Sequence, residues 1–184
     1  MARIIAGRDR GRRLAAPRGQ ATRPTGARVR QTLFDVLAPR LPGCRFLDAF
    51  AGSGAVGLEA LSRGAACSVL VEKGAPAIRA IRENARVLGG RGELRVFRQD
   101  ARIALPALAE RGERFDVVYL DPPYDSDLYA GVIALTDASG LLAEGGVVVV
   151  EHFHKRVLPE RIGGLLRGRE IRIGDHRLSF YTRG

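Results

Sequence analysis

Four consecutive residues of this 184-residue chain, Asp121-Pro122-Pro123-Tyr124, bring together a carboxylate, two stiff residues and an aromatic ring. They follow Phe115-Asp116-Val117-Val118-Tyr119-Leu120, an apolar run that reads as a buried strand. The prolines end it, because neither can donate to a sheet ladder. In open α/β sheets the carboxyl ends of the strands are where ligands bind. Placed there, the tetrapeptide has the chemistry to grip a flat nucleobase by its exocyclic amine. Asp121 accepts one N–H, the Pro122 carbonyl accepts the other, and Tyr124 stacks on the ring. The same residues are good turn chemistry, so the tetrapeptide alone does not separate a turn from a site.

A second group narrows the choice. Phe50-Ala51-Gly52-Ser53-Gly54-Ala55-Val56-Gly57 carries G-x-G-x-x-G between a strand pattern and a helix pattern. Glycines let a backbone turn tightly and approach a ligand closely, and this spacing also fits NAD binding. Asp48, just ahead of the loop, discriminates: a carboxylate there repels a pyrophosphate and welcomes the ammonium of S-adenosylmethionine. Glu72, ending the next strand pattern, is placed to accept both hydroxyls of a ribose, a role shared with NAD sites. Asp100 is a candidate acceptor for an adenine amine, with helix N-capping as its rival role.

The charge is uneven. Thirty Lys+Arg stand against 20 Asp+Glu, a formal +10. Residues 1–40 hold ten arginines and two acids, which is +8 of that total. A concentrated basic segment is the footprint of a polyanionic partner; nucleic acid is favoured over an anionic membrane surface. Cys44 and Cys67 lie far apart without C-x-x-C spacing, which speaks against a zinc site or disulfide framework. No apolar stretch reaches about 18 residues and no signal-peptide pattern opens the chain. A cytoplasmic monomer without a metal or a membrane anchor is expected.

The elements that must position these groups are legible as alternation. Residues 3–14 read as two short strands about an Arg-rich turn, and 15–24 as a linker. Thr22 or Thr25 is a candidate cap for a helix beginning near Arg28, where Val29, Leu33, Val36 and Leu37 recur at helical spacing. Cations in a helix's first turn oppose its dipole, which points Arg28 and Arg30 toward a ligand. Strands are expected at Arg45–Phe50, Cys67–Glu72, Glu93–Phe97, Phe115–Leu120 and Gly146–Glu151. Helices are expected at Ala55–Arg63, Ala75–Leu88 and Ala101–Ala109, with another inside Leu128–Leu142. This is the pattern of a doubly wound, mostly parallel α/β sheet. The valine run 147–150 suits a strand buried on both faces. Residues 169–173 and 177–182 read as a closing antiparallel hairpin. Glu151, His152 and His154 lack a full metal-ligand set and read as hydrogen-bonded loop residues.

In this register Asp48, the Gly52/Gly54 loop, Glu72, Asp100 and Asp121-Pro122-Pro123-Tyr124 resemble a class I S-adenosylmethionine-dependent amino-methyltransferase. The flanks sharpen the resemblance. Arg3-Ile4-Ile5-Ala6-Gly7, Thr22-Arg23-Pro24-Thr25, Val29-Arg30-Gln31-Thr32-Leu33-Phe34-Asp35, Leu47-Asp48-Ala49-Phe50-Ala51-Gly52-Ser53-Gly54 and Gly174-Asp175-His176-Arg177-Leu178-Ser179-Phe180-Tyr181 together resemble the RsmD family. The resemblance implies a Rossmann-like methyltransferase domain over residues 43–184 behind a basic, RNA-contacting extension over residues 1–42. It implies S-adenosylmethionine as cofactor, held by Asp48, Phe50, Gly52, Gly54, Glu72 and Asp100. Asp121, Pro122 and Tyr124 would be the catalytic group. The substrate implied is the N2 amine of one guanine of 16S ribosomal RNA in the small subunit, guanine 966 in the family's usual numbering. Arg3, Arg23, Arg28 and Arg30 are the candidate RNA contacts. Two other functions remain open on sequence: an adenine-N6 methyltransferase of DNA or RNA, and a non-catalytic RNA-binding assembly factor. A redox enzyme using NAD is a more distant third.

Overall fold

The computed structural model describes residues 2–16, 26–86, 88–89, 92–123 and 128–184. Strands β1 (Ala2–Arg3) and β2 (Arg13–Leu14) pair antiparallel. Helix α1 (Ala27–Leu37) follows and tightens into a 3-10 turn at Ala38–Arg40. The alternating body comes next: β3 (Arg45–Asp48), α2 (Ala55–Ser62), β4 (Cys67–Glu72), α3 (Ala75–Ala85) and β5 (Glu93–Arg98). It continues through α4 (Ala101–Glu110), β6 (Phe115–Leu120) and α5 (Leu128–Ala138). The last strands are β7 (Leu142–Phe153), β8 (Arg161–Ile162), β9 (Leu165–Ile173) and β10 (His176–Arg183).

Eight strands form one sheet in the order β5-β4-β3-β6-β7-β10-β9-β8. The first five are parallel, and β10, β9 and β8 continue the sheet antiparallel. This is the expected Rossmann-like architecture. Strand β7 exceeds the expected Gly146–Glu151 at both ends. Leu142 already pairs with Phe115 ahead of a register shift, and β10 holds the far end through the His176–Phe153 pair. The chain leaves β3 toward β4 and β5, then returns on the other side through β6 and β7. That reversal beside β3 is the topological switch point, where doubly wound sheets open a crevice.

Helices cover both faces. Ala104, Leu105 and Leu108 of α4, with Val132 and Ile133 of α5, pack on Leu47, Val69, Val118 and Val148. Val29, Leu33 and Phe34 of α1, with Val56 and Ala60 of α2, pack on Phe46, Val117, Val149 and Phe180. The valines of β7 thus divide between the two cores, as a central strand requires. Helix α3 seats Ile78 and Ile81 on Leu70.

All eight residues of α2 are buried, Glu59 and Ser62 included. Its outer side is covered by the N-terminal segment, where Ile4 and Leu14 pack on Ala55 and Leu58. Backbone polarity is matched there. The amides of Ile5 and Ala6 donate to the Glu59 carboxylate at 2.7 and 2.8 Å. The Ser62 hydroxyl accepts from the Asp9 amide at 3.0 Å and donates to the Ala6 carbonyl at 2.7 Å. Gly7 has φ 84°, and a Cβ there would lie 2.0 Å from the Ser62 carbonyl oxygen, so only glycine fits. Glu59 also receives Arg63 at 2.8 Å and faces Arg30 Nε at 3.8 Å. Removing one partner from a buried ionic cluster typically costs about 3–5 kcal/mol. Glu59→Ala is therefore expected to lower unfolding stability by about that amount. Urea denaturation checks it, and a loss below about 1 kcal/mol would remove Glu59 from this role.

Candidate active site

Strand β3 ends at Asp48, flanked by β4 ending at Glu72 and by β6 leading into Asp121. The Ala49 amide donates to the Tyr119 carbonyl and the Ala51 amide to the Val71 carbonyl, each at 3.0 Å. The loop after β3 is thereby stitched to both neighbouring strands as it enters the crevice.

The three motif glycines do different work. Gly54 (φ 79°) starts α2, and a Cβ there would stand 3.2 Å from both Ile81 Cγ1 and Leu70 Cδ1. At Gly57 a Cβ would meet Leu70 Cδ2 at 2.1 Å, so this glycine lets α2 lie directly on β4. At Gly52 (φ 52°) nothing lies within 4 Å of that position. Gly52 is therefore where the backbone stays open to a ligand. Asn84 Nδ2 donates to the Ser53 carbonyl at 2.9 Å and ties the loop to α3.

The carboxylates are handled unequally. Glu72 Oε2 accepts the Gly52 amide at 2.9 Å, and Oε1 accepts the Gly74 amide at 2.6 Å. A carboxylate offers about four lone-pair directions, so acceptor capacity for ribose hydroxyls remains. Asp48 is 1% exposed and accepts the Phe50 amide at 3.3 Å. Burial pushes its carboxyl up to about 7 against the pull of that amide, with Glu72 and Glu151 adding to the rise. A buried acid in this state fits a cationic group, and the ammonium of S-adenosylmethionine is one. Phe50 contributes its amide to Asp48, while its ring packs on the core beneath α4 and α5. Asp100 caps α4 through the Arg102 amide at 2.9 Å and takes the Arg102 guanidinium at 2.9 and 3.0 Å. The Arg102 guanidinium draws its carboxyl down to about 2. The capping role weighed against an adenine contact is the one these bonds display.

Beyond β6, the Pro122 carbonyl accepts the Tyr129 hydroxyl at 3.2 Å. The Arg156 guanidinium stands 4.6 Å from the centre of the Tyr129 ring. Tyr124 and Arg23 lie outside the described residues, as do the candidate caps Thr22 and Thr25. The residue capping α1 is Gly26, with no side-chain bond.

Three residues at this end of the sheet escaped the sequence reading as a group. The buried Tyr119 hydroxyl donates to Glu151, and His176 Nδ1 lies 2.7 Å from the other Glu151 oxygen. Burial holds the Tyr119 hydroxyl well above its usual range, with Glu151 and Asp121 adding to the effect, so it keeps its proton. A carboxylate closing an all-valine strand was the available signal, but its partners come from β6 and β10. His152 meets the Ser179 hydroxyl at 2.8 Å, and His154 Nδ1 lies 3.2 Å from the Asp175 carbonyl.

The basic segment needs a correction. Arg3 and Arg28 are exposed, but Arg30 is 1% exposed. Its Nη2 donates to the Arg3 carbonyl at 2.6 Å, and its Nε faces Glu59. Arg30 therefore serves the fold and cannot reach a phosphate. The cation in the first turn of α1 is explained by a buried acid on α2.

Comparison with known proteins agrees with this geometry. The family model described as "Conserved hypothetical protein 95" matches residues 2–182. The Bacillus subtilis (strain 168) protein YlbH is 37% identical over 181 residues, 98% of each chain. "Ribosomal RNA small subunit methyltransferase D" of Escherichia coli (strain K12) is 40% identical over 157 residues, 85% of this chain and 77% of that one. A solved structure of a hypothetical protein from Thermus thermophilus superposes with a TM-score of 0.85 at 40% identity, covering 98% of both chains. The chain belongs to the RsmD family of S-adenosylmethionine-dependent methyltransferases.

Proposed function

We propose that this protein methylates the exocyclic N2 amine of one guanine of 16S ribosomal RNA in the small subunit. The observation that carries the reading is the meeting, at one switch point, of two different acceptors. Asp48 is buried without a cationic partner among the described residues, and Asp121-Pro122 directly follow β6, the strand beside β3 across the switch point. The relative from Escherichia coli named for small-subunit ribosomal RNA supports the substrate class.

S-adenosylmethionine supplies a methyl group that is already electrophilic, because it sits on a sulfonium. Asp48, the open backbone at Gly52 and Glu72 are the groups that hold it. The rest falls to the chain. A guanine N2 lone pair is delocalised into its ring and is a weak nucleophile. Asp121 and the Pro122 carbonyl, accepting its two hydrogens, raise its electron density and aim it. Tyr129 fixes the Pro122 carbonyl for this task. Asp121 or water takes the released proton. The gain comes from orientation and electrostatics. The target base must leave its stack to enter, and Tyr124 holds it by stacking worth about 1–3 kcal/mol. Arg3, Arg23 and Arg28 meet RNA phosphates.

The deciding assay follows labelled methyl from S-adenosylmethionine into small subunits lacking the modification, naked 16S RNA and duplex DNA, with nucleoside analysis. N2-methylguanosine is expected from RNA; N6-methyladenine would overturn the reading. Asp121→Ala should lower turnover by at least about 100-fold with cofactor affinity nearly unchanged. Retained turnover would exclude Asp121 as the amine acceptor. Ionised Asp48 is lost as pH falls below about 7, so cofactor affinity should fall with it, by up to about tenfold per pH unit. Asp48→Asn should bind weakly at every pH. Without ligand, the raised carboxyl stabilises the native state at acid pH, an effect lost as pH rises through about 7. Thermal melts should therefore find unliganded Asp48→Asn more stable than the wild type at alkaline pH, and the reverse order would contradict the assignment. Replacing Arg3 and Arg28 together by alanine should reduce the salt slope of RNA binding by about 1–2. An unchanged slope would take both off the RNA.

A further inference from the structure

Strand β7 runs beside β6 through the Leu120–Val150 pair, so the chain leaving β7 emerges next to Asp121-Pro122-Pro123. It turns at once through Phe153-His154-Lys155-Arg156-Val157. Three large apolar side chains are exposed among the described residues, and this turn holds two of them: Phe153 at 37% and Val157 at 81%. Between them Lys155 is exposed. No residue from 153 to 159 is acidic, and Asp175 approaches the turn only at His154, 3.9 Å from its Nδ1.

The turn is pinned in place. The Arg156 amide donates to the Phe153 carbonyl at 2.9 Å, and the His154 amide to the Asp175 carbonyl at 2.8 Å. Arg156 covers the ring of Tyr129, whose hydroxyl holds the Pro122 carbonyl. The turn is therefore linked through Arg156 and Tyr129 to the Pro122 carbonyl. Single exposed apolar residues need no explanation. Two of them around a cation, on a braced turn beside Asp121-Pro122-Pro123, match what a single strand asks for: apolar faces for bases and a cation for phosphate.

We propose that the Phe153–Val157 turn seats the RNA nucleotides flanking the target guanine. The inference rests on the preceding reading, since it takes RNA as the substrate. Extruding one base unstacks its neighbours, and apolar side chains offered there replace part of the lost contact, as wedges do in other nucleic-acid complexes. Val157 supplies such a face, the exposed edge of Phe153 extends it, and Lys155 contacts the adjoining phosphate. The turn thus contributes to substrate binding and leaves cofactor binding alone.

The experiment uses the full chain with small subunits lacking the modification. Val157→p-benzoylphenylalanine is photo-crosslinked to bound subunits and the attachment mapped. In parallel, the double variant Lys155→Gln, Val157→Ser is compared with the wild type for affinity to subunits and to S-adenosylmethionine. Both positions are exposed, so the fold should tolerate the changes. Crosslinks to 16S RNA beside the methylated guanine are expected. Subunit affinity should weaken by about tenfold, with cofactor affinity and saturated turnover unchanged. Crosslinks to a ribosomal protein, or a double variant that binds like the wild type while the wild type methylates RNA, would overturn this inference alone. A wild type that neither binds nor methylates RNA would overturn both readings.

Discussion

The Glu59 carboxylate is the interaction on which the rest of the structure depends. It lies in the middle of α2, fully buried, with acceptors filled by the Ile5 and Ala6 amides and by Arg63, and with Arg30 close by. A buried charge survives only when paired and hydrogen-bonded, and every partner here comes from outside the core strands or from the next turn of α2. The acid therefore fastens the N-terminal segment across the helix that starts at Gly54. Asn84 repeats the arrangement one helix away, bonding the Ala15 backbone on one side and the Ser53 carbonyl on the other. The basic segment and the glycine loop are in this way parts of one assembly. Val29, Leu33 and Phe34 of α1 share a core with Phe46 and Val117, so the first helix packs on the sheet as closely as the later ones do.

The C-terminal rim of the sheet gathers acids from neighbouring strands: Glu72 and Asp48 end β4 and β3, Asp121 follows β6, and Glu151 lies on β7. Each meets its surroundings differently. Glu72 is occupied by loop amides, and Glu151 by a tyrosine hydroxyl and an imidazole. Asp48 has only the long amide bond from Phe50 and a weaker pull from the Gly57 amide to set against its burial. Such asymmetry separates Glu72 and Glu151, whose carboxylates are engaged by neighbouring groups, from Asp48, whose charge burial disfavours. It also explains why Tyr119, sequestered in the core, keeps a polar end: it satisfies Glu151 without adding another cation to the rim.

Much of this was legible in the sequence because it is written locally. Strands Cys67–Glu72 and Phe115–Leu120 have the bounds their apolar runs suggest, and each helix of the body starts where its pattern does. The mostly parallel, doubly wound sheet with its antiparallel C-terminal end follows from alternation and right-handed crossovers. What was not legible depends on distant partners. Arg30 looks like a ligand residue until Glu59 is seen beneath it. The one acid inside Ala-Val-Gly-Leu-Glu-Ala-Leu-Ser was a clue that a partner must cover it, but nothing local names residues 4–15 as the cover. The length of β7 depends on β10 and on the Phe115–Leu142 pair, both far away in sequence. The capping role of Asp100 was foreseeable from its position before α4, whereas the fork to Arg102 depends on side-chain geometry that no pattern spells out.

The condition of Asp48 reaches beyond the pocket. A protein that keeps an acid in a place unfavourable to its charge is locally frustrated, and the compound that relieves the frustration binds only the native state. By mass action such a compound lowers the fraction of chains that open. Degradation of a protein that must open to be cleaved tracks that fraction. Methyl donor bound to this native fold therefore also shields the chain from cleavage, to the extent that cleavage requires opening.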